Sequence, residues 1–256
     1  MSSKSVKPNA MKRLFHFTSI NTLALILKSR SIRFGRLDLV NDPTEGLISD
    51  FHSQAPYIFI SCWTDCEEEN LALWNMYTQN MRGVRIEMGL PIFESFRIGD
   101  DDNNLIMENE ILNEEVGYFI LGGSNEPQKI EYTDDENLLK PSIRNEFGLH
   151  IESVANHKRS IWKIEQEFRY RLQIFPFDNN IQSDYFPARY EHLIESQTPP
   201  PIDKYFIKIK EDAFASMKIT YGPRMQNGDI EIIESLVANY NPTAEILGSK
   251  LRGLIR

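Results

Sequence analysis

The sequence predicts an α+β fold, and three observations support that prediction. Strand-like and helix-like segments are mixed along the chain without the regular strand-helix-strand repetition of a parallel α/β sheet. Hydrophobic residues make up 41% of the chain and charged residues 25%, which is ordinary for a globular protein and too apolar for intrinsic disorder. A length of 256 residues suits one large core with insertions. We therefore expect a single domain over residues 12–256, after a flexible basic N-terminus over residues 1–11.

The first predicted elements are a strand at Arg13–Phe17 and a helix that begins after Thr18 or Ser19. The helix prediction rests on apolar residues at the i, i+3, i+4 and i+7 spacing of one helical face. These residues are Ile20, Leu23, Ala24 and Leu27. A strand at Ser31–Phe34 then leads into a turn over residues 41–46, where Asn, Asp, Pro and Gly favour a chain reversal.

The rest of the chain continues as a mixture of strands and helices. Apolar or alternating segments predict strands at Tyr57–Trp63, Val84–Met88, Gly117–Leu121, Lys129–Tyr132, Gln166–Phe175, Lys204–Ile209, Lys218–Tyr221 and Ala244–Leu247. Helices are expected at Glu67–Gln79, Pro141–Lys158, Asp212–Met217 and Gly228–Asn239. Two irregular regions are also expected, an acidic insertion at about 98–128 and a loop excursion at about 177–202.

The cysteine content and the N-terminal sequence indicate a reducing cytoplasm. The two cysteines, Cys62 and Cys66, cannot form a disulfide framework, and no set of four ligands surrounds them for zinc. The first residues lack the apolar run of a signal peptide, and no stretch approaches the length of a membrane span. We expect neither a metal ion nor a membrane partner.

Charge is distributed unevenly along the chain. The net charge of −9 argues, as an average, against nonspecific binding to a phosphate backbone. However, Met1–Leu37 contains eight basic residues and no acidic ones, whereas Ile98–Gln128 contains eight acidic residues and no basic ones. The average therefore does not exclude a nucleic-acid partner for the basic part of the chain.

His16 is the first candidate for a site residue. In a strand its imidazole lies on the face opposite Phe15 and Phe17, so it can project into a cleft and hydrogen-bond a sugar hydroxyl. A core or surface histidine with a backbone partner is the alternative.

A row of charges in Trp162–Arg171 is the second candidate. Strand alternation places Glu165, Glu167, Arg169 and Arg171 on one face. In a functional site, one carboxylate would stabilise a cationic transition state while an arginine orients it or binds phosphate. In a structural role, the strand would face solvent and its charges would pair sideways.

Two further segments are weaker candidates. The turn containing Asn41, Asp42 and Glu45 follows a basic strand whose Arg33 and Arg36 can contact a pyrophosphate, although a surface turn explains most of its residues. Trp74 and Tyr77 share a helical face, which is typical of a core and is also suited to stacking on an aromatic ring such as nicotinamide.

The order of the motifs resembles the bacterial family catalogued as domain of unknown function 2971. The matching segments are L-F-H-F-T-S, N-D-P-T-E-G, F-I-S-C-W, L-W-x-x-Y followed by R-G-V-R-I-E, K-I-E-Y, W-K-I-E-Q-E-F-R, I-T-Y-G-P and G-S-K-L-R-G-L-I-R. The resemblance covers nearly the whole chain from about Lys12 onward. The chain departs from the family pattern at Val40, at Arg85 and in the long acidic insertion.

The early histidine and the late Glu-Phe strand are in turn similar to the ADP-ribosyltransferase superfamily, notably toxins that modify DNA. The resemblance implies split mixed β-sheets with flanking helices. It also implies that His16 is the histidine that binds the NAD ribose, that Glu167 is the catalytic glutamate, and that Glu165 is its upstream partner. The middle residue of the usual histidine-tyrosine-glutamate set stays open among Tyr57, Ser61, Trp74 and Tyr77.

The resemblance therefore implies a cytoplasmic enzyme that transfers ADP-ribose from NAD to a macromolecule. We expect a bacterial toxin or phage-defence effector, with nucleic acid slightly favoured over protein as the acceptor and an antitoxin as a further partner. The expected NAD-binding residues are His16, Thr18, Arg33, Arg36, Asn41, Asp42, Ser61, Trp74, Tyr77 and Arg169. NAD hydrolysis without transfer and silent binding of NAD or ADP-ribose are the alternatives.

Overall fold

The computed structural model describes residues 13–97, 104–107, 117–145, 148–149, 151–177 and 186–255. Its strands are β1 Arg13–Thr18, β2 Ser31–Arg36, β3 Ile58–Thr64, β4 Val84–Gly89, β5 Tyr118–Leu121, β6 Gln128–Lys129, β7 Glu131–Thr133, β8 Arg144–Asn145, β9 Gly148–Leu149, β10 His157–Arg159, β11 Glu167–Pro176, β12 Lys204–Lys208, β13 Lys218–Tyr221 and β14 Glu245–Gly248. Its α-helices are α1 Ile20–Ser29, α2 Leu71–Tyr77, α3 Glu136–Leu139, α4 Phe186–Ser196, α5 Glu211–Ala215 and α6 Asn227–Tyr240.

The chain forms two compact units that are interleaved in sequence. The first unit includes residues 13–28, 64–92 and 210–255, and the second includes residues 29–63 together with the described residues of 93–209. Helices and both parallel and antiparallel strand pairs are present, so the fold is a mixed one that agrees with the α+β prediction. No helix in the described ranges is long and apolar enough to cross a lipid bilayer.

The first unit is built on strands β1, β4, β13 and β14, paired in that order. Strand β4 is antiparallel to both β1 and β13, and β14 runs parallel to β13. Helix α1 begins where expected, because the Ser19 hydroxyl accepts a hydrogen bond from the Thr22 amide. Helix α2 begins later than its acidic residues suggested, because Asn70 caps the amides of Ala72 and Leu73.

The second unit is built around the long strand β11. Strands β12, β2 and β3 are paired in that order, β11 pairs with β3, and β11 also pairs with β5 and β6. In its core, the Phe175 ring stacks on Tyr57 at a centroid distance of 5.5 Å and on Phe119 at 5.2 Å. Both faces of the N-terminal half of β11 are buried, which accounts for the mixture of apolar and charged residues at alternating positions.

The helix predicted at Pro141–Lys158 is wrong. The described residues of this segment form β8, β9, a 3₁₀ turn at Ile151–Ser153 and β10. The amides of Ile143 and Arg144 donate hydrogen bonds to the carboxylate of Asp50, and the last residues of the segment pair as β10 with β7, which a helix does not allow. Ala155 has a positive φ of 62°, which a helix does not allow.

The loop excursion predicted at about 177–202 is partly wrong, because helix α4 lies within it. The buried Leu193 and Ile194 join the core of the second unit, and the Leu193 carbonyl accepts a hydrogen bond from the Tyr57 hydroxyl. Residues 178–185 lie outside the described residues, as do residues 98–103 and 108–116 of the predicted acidic insertion.

Candidate functional site

A group of charged side chains lies inside the second unit. We call it the buried charge cluster, and it consists of Glu45, Lys158, Glu165, Glu167 and Arg169. Their exposed fractions lie between 3% and 6%. Charged residues are rarely buried to this extent unless they are paired. The sideways-pairing, solvent-facing interpretation of the Glu165–Arg171 row therefore does not apply.

Glu45 enters the cluster from the turn over residues 41–46. The Asp42 carboxylate accepts hydrogen bonds from the Thr44 amide at 2.9 Å and from the Thr44 hydroxyl at 2.6 Å, which closes the turn. Gly46 has a φ of +79°, and a Cβ there would lie 2.8 Å from the Cβ of Ala55. The turn is thus fixed in a conformation that directs Glu45 inward.

Glu165 and Glu167 are brought together by a change of backbone conformation at the residue between them. Glu165 ends the 3₁₀ helix Ser160–Glu165, Gln166 has left-handed φ and ψ of 45° and 53°, and Glu167 begins β11. The two carboxylates therefore meet because of the left-handed residue between them, rather than through the strand alternation that the sequence suggested. The Glu167 amide donates to the Tyr132 hydroxyl at 2.8 Å, which anchors this junction.

Lys158 is the cation shared by all three carboxylates. Its Nζ lies 2.7 Å from Oε2 of Glu165, 3.3 Å from Oε2 of Glu167 and 3.2 Å from Oε1 of Glu45. The ammonium also lies 4.7 Å from the centre of the Trp162 ring, within the range of a cation–π contact. Strand β10 positions Lys158 through its parallel pairing with β7.

Arg169 binds Glu167 through two hydrogen bonds. Its Nε donates to Oε1 of Glu167 at 2.5 Å and its Nη2 donates to Oε2 at 3.0 Å. Its Nη1 lies 2.5 Å from Oε2 of Glu45 and donates to the Ala155 carbonyl at 3.3 Å. Bidentate arginine–carboxylate pairs are among the strongest polar contacts in proteins and fix the orientation of both groups.

These contacts keep Glu167 ionised. Burial alone would raise the pKa of Glu167, but the charge and hydrogen bonds of Arg169, together with Lys158, outweigh it and lower the pKa to about 2. Burial would likewise lower the pKa of Lys158, and the surrounding carboxylates, first Glu167 and then Glu45, instead raise it above its ordinary value. Both groups are therefore charged throughout the physiological pH range.

Cys62 belongs to the same environment. Burial raises the pKa of the Cys62 thiol well above its ordinary value, and the negative charge of Glu167 raises it further. The neutral thiol donates a hydrogen bond to Glu167. Cys62 thus acts as a polar neighbour of the carboxylate and does not have the low thiol pKa of a nucleophile.

The charge of the cluster is unbalanced. By formal charge, the three carboxylates and two cations that define the cluster sum to −1. Asp42 is also buried, and its Oδ2 has no hydrogen-bond partner among the described residues. In a medium of low dielectric constant, an excess negative charge favours a positive charge placed near it. The arrangement is suited to electrostatic stabilisation of a cation. A carboxylate with a pKa near 2 is poorly suited to accept a proton at neutral pH.

The other predicted residues of the second unit lie at its surface or in its core. Arg33 and Asn41 are exposed, and Arg36 is partly buried and paired with Asp38 at 2.7 Å. Ser61 is buried, and its hydroxyl accepts a hydrogen bond from the Trp63 indole. Tyr57, one of the candidates for the middle residue, is buried against Phe175.

His16, Thr18, Trp74 and Tyr77 belong to the first unit. His16 is partly buried on the β1 face opposite the buried Phe15 and Phe17, as the alternation predicted. Trp74 is fully buried, makes an edge-to-face contact with Phe17 at 5.0 Å and donates its indole N–H to Glu69. These contacts are the ones expected if Trp74 packs in a hydrophobic core. Tyr77 is 37% exposed.

Sequence patterns missed one member of the buried charge cluster, Lys158, which was assigned to a helix and whose position in a strand gave no local signal. Glu45 was named only as part of a weaker candidate, the turn with Asn41 and Asp42, and was not connected with the Glu165–Arg171 row. Trp162 and Tyr132 were visible only as parts of motifs, and the structure gives both a role next to the cluster.

Comparison with protein-family models, curated proteins and solved structures found no match for this chain. Among the described residues, no three His, Cys, Asp or Glu side chains are grouped to hold a metal ion.

Proposed function

We propose that this protein is an ADP-ribosyltransferase that uses NAD and modifies a macromolecule, acting in the bacterial cytoplasm as a toxin or phage-defence effector. The observation that carries the proposal is the negatively charged cluster around Glu167, with Glu165 two residues before it. The proposal includes an ADP-ribosyltransferase-like arrangement of split mixed sheets.

The chemistry requires a fixed negative charge. When the bond between nicotinamide and ribose breaks, positive charge develops on the ribose C1 and ring oxygen, as in glycoside hydrolysis. A carboxylate that stays ionised and is held rigidly stabilises that charge without reorganising during the reaction. Glu167 meets both conditions, because its pKa is about 2 and Arg169 holds both of its oxygens.

The resemblance to ADP-ribosyltransferases suggests roles for other residues as well. Within the second unit, Arg33 or Arg36 would neutralise the pyrophosphate of NAD. Arg33 is exposed, and Arg36 would exchange its contact with Asp38 for a phosphate.

A specific observation favours a second candidate, a module that binds NAD or ADP-ribose without cleaving it. Glu167 is only 4% exposed, and both of its oxygens accept hydrogen bonds from Arg169. A buried carboxylate whose two oxygens are both bound by an arginine is also what a cluster with a purely structural role would contain. This candidate predicts that NAD binds and that no nicotinamide is released.

Labelled NAD distinguishes these functions. The purified protein is incubated with NAD labelled in its ADP-ribose part and with separate pools of DNA, RNA and cell protein. Transfer predicts label in one pool, hydrolysis predicts free ADP-ribose only, and the binding module predicts intact NAD that is retained by the protein.

The matched variants for this assay are Glu167→Gln and Glu45→Gln, because each removes one charge from the same cluster. We expect Glu167→Gln to abolish labelling and Glu45→Gln to reduce it less. Full labelling by Glu167→Gln contradicts the assignment of the catalytic glutamate.

A further inference from the structure

The outer strand of the second unit presents cations around an exposed aromatic ring. Within the described residues, β12 pairs only with β2, and the Cα of Phe206 lies opposite that of Arg33. Strand alternation places Lys204, Phe206 and Lys208 on one side of β12, while Ile207 points to the other side and is buried. We call Arg33, Lys204, Phe206 and Lys208 the β12 face.

Phe206 is 48% exposed, although its neighbour Ile207 is only 7% exposed. A single exposed apolar side chain is common on protein surfaces. Here, however, the ring is surrounded by Arg33 across the strand pair and by a lysine two residues to each side, about 7 Å away along the strand. An open aromatic ring with cations on three sides combines a stacking surface with phosphate-binding groups.

The cations of the β12 face are largely available to a ligand. Within the part of the chain that the structure describes, Arg33 has no carboxylate partner. The Lys204 ammonium lies 4.0 Å from the exposed Asp203, at the limit of an ion pair, and among the described residues Lys208 donates to the Ser29 carbonyl and to no carboxylate. This face is therefore locally basic in a chain whose net charge is −9.

A shallow cleft of about 550 Å³ continues from this face, lined by Phe206, Lys204, Arg36, Ile202 and the adjacent Pro200 and Pro201. Its lining also includes one acidic residue, Asp203, which lies 4.0 Å from the Lys204 ammonium. The two prolines provide a stiff apolar wall beside the aromatic ring. Arg36 adds a further cation, which is paired with Asp38. An extended ligand with both flat apolar groups and negative charges fits this combination.

We propose that the β12 face binds single-stranded nucleic acid. A base stacks on Phe206, and neighbouring phosphates contact Arg33, Lys204 and Lys208. The bases of a duplex are stacked on one another and cannot reach the ring, so a single strand is the expected form. This inference rests on the proposed transferase function and identifies its acceptor as single-stranded DNA or RNA.

Fluorescence anisotropy tests the proposal directly and without NAD. The probes are a labelled oligonucleotide of about 20 nucleotides as DNA and as RNA, the corresponding duplex and a labelled poly-glutamate peptide. Phe206→Ala should weaken single-strand binding by about 5-fold to 150-fold, which corresponds to the loss of about 1–3 kcal/mol of stacking on one base. Arg33→Glu should weaken binding and make it less dependent on salt.

The controls are Ile232→Ala, which removes a 52% exposed apolar side chain from α6, and Arg224→Glu, which reverses an exposed charge in the first unit. Both should bind the single strand like the unchanged protein. Phe206 is half exposed, so its variant should fold, which a thermal melt verifies. The proposal would be overturned if Phe206→Ala bound the single strand as tightly as the unchanged protein, or if the control variants lost as much affinity as Phe206→Ala. It would also be overturned if the protein preferred the duplex or the acidic peptide to the single strand.

The outcomes separate this inference from the proposed function. Single-strand binding that depends on Phe206, with no release of nicotinamide from NAD, supports the β12 face and contradicts the transferase. Labelling of nucleic acid that is unchanged in Phe206→Ala supports the transferase and contradicts the β12 face.

Discussion

At the scale of single residues, Lys158 determines whether the buried charge cluster is stable. It is within 3.3 Å of carboxylate oxygens from Glu45, Glu165 and Glu167. Removing one partner of a buried ion pair leaves an uncompensated charge, which is far more costly than losing a surface pair.

Lys158→Met should therefore lower the free energy of unfolding by about 3–5 kcal/mol, because three buried carboxylates would lose the ammonium that they share. Urea denaturation followed by circular dichroism measures the change. Lys163→Met is the control, because Lys163 is exposed in the neighbouring 3₁₀ helix and its loss should change stability by less than about 0.5 kcal/mol. Equal stability of the two variants would mean that the cluster does not depend on its lysine.

Glu167 gives the protein a defined sensitivity to acid. Its pKa falls from 4.5 when unfolded to about 2 when folded, so its contribution to stability is complete above pH 4.5 and is lost as the pH falls towards about 2. The size of this contribution is roughly 3 kcal/mol. Denaturation series at several pH values should show a steep loss of stability in this window, and the slope should be smaller in Glu167→Gln. An equally steep slope in both proteins would show that other carboxylates cause the acid sensitivity.

At the scale of elements, the junction between the 3₁₀ helix Ser160–Glu165 and β11 places both glutamates beside Lys158. Gln166 supplies the necessary left-handed backbone. Glycine adopts this conformation without strain, whereas proline is fixed at a negative φ.

Gln166→Gly should fold with a stability within about 1 kcal/mol of the unchanged protein. Gln166→Pro should lose about 3 kcal/mol or more, because it cannot adopt a φ of 45° and lacks the amide that donates to the Lys163 carbonyl. Thermal unfolding of the two variants measures the difference. A well-folded proline variant would show that the left-handed residue is not required.

Elements that depend on local patterns could be predicted, and those that depend on distant contacts could not. Strands β1, β3, β4, β12 and β13 were found within one or two residues, because their apolar alternation is contained in the segments themselves. The segment at 141–158 lacks a helix because its last residues pair as β10 with β7, an earlier part of the chain. No local pattern contains that information.

The same distinction applies to the candidate site. The pair Glu165 and Glu167 could be selected from its motif, and so could Arg169. Their burial could not, since it depends on Lys158 and Glu45, which come from separate parts of the chain. Two acids and two bases in one row also appear balanced, so the sequence gives no sign of the excess negative charge.

At the scale of the whole molecule, charge is distributed in a way that fits two different tasks. The inside of the second unit holds an excess negative charge beside Glu167, suited to a developing cation. The β12 face of the same unit is basic, suited to a phosphate backbone. The phosphates of the proposed acceptor and the developing cation of the proposed chemistry thus meet opposite charges, and with Arg33 on the β12 face the pyrophosphate of NAD is left to Arg36.

The most direct test of the central proposal is the rate of nicotinamide release from NAD by Glu167→Gln compared with Glu45→Gln, measured where both variants are folded. If Glu167 stabilises the cationic transition state, its variant should be slower than the unchanged protein by about 100-fold or more, and Glu45→Gln should be slowed much less. Equal rates for the two variants, or no release by the unchanged protein with any acceptor, would contradict the proposal and leave the cluster with a structural role.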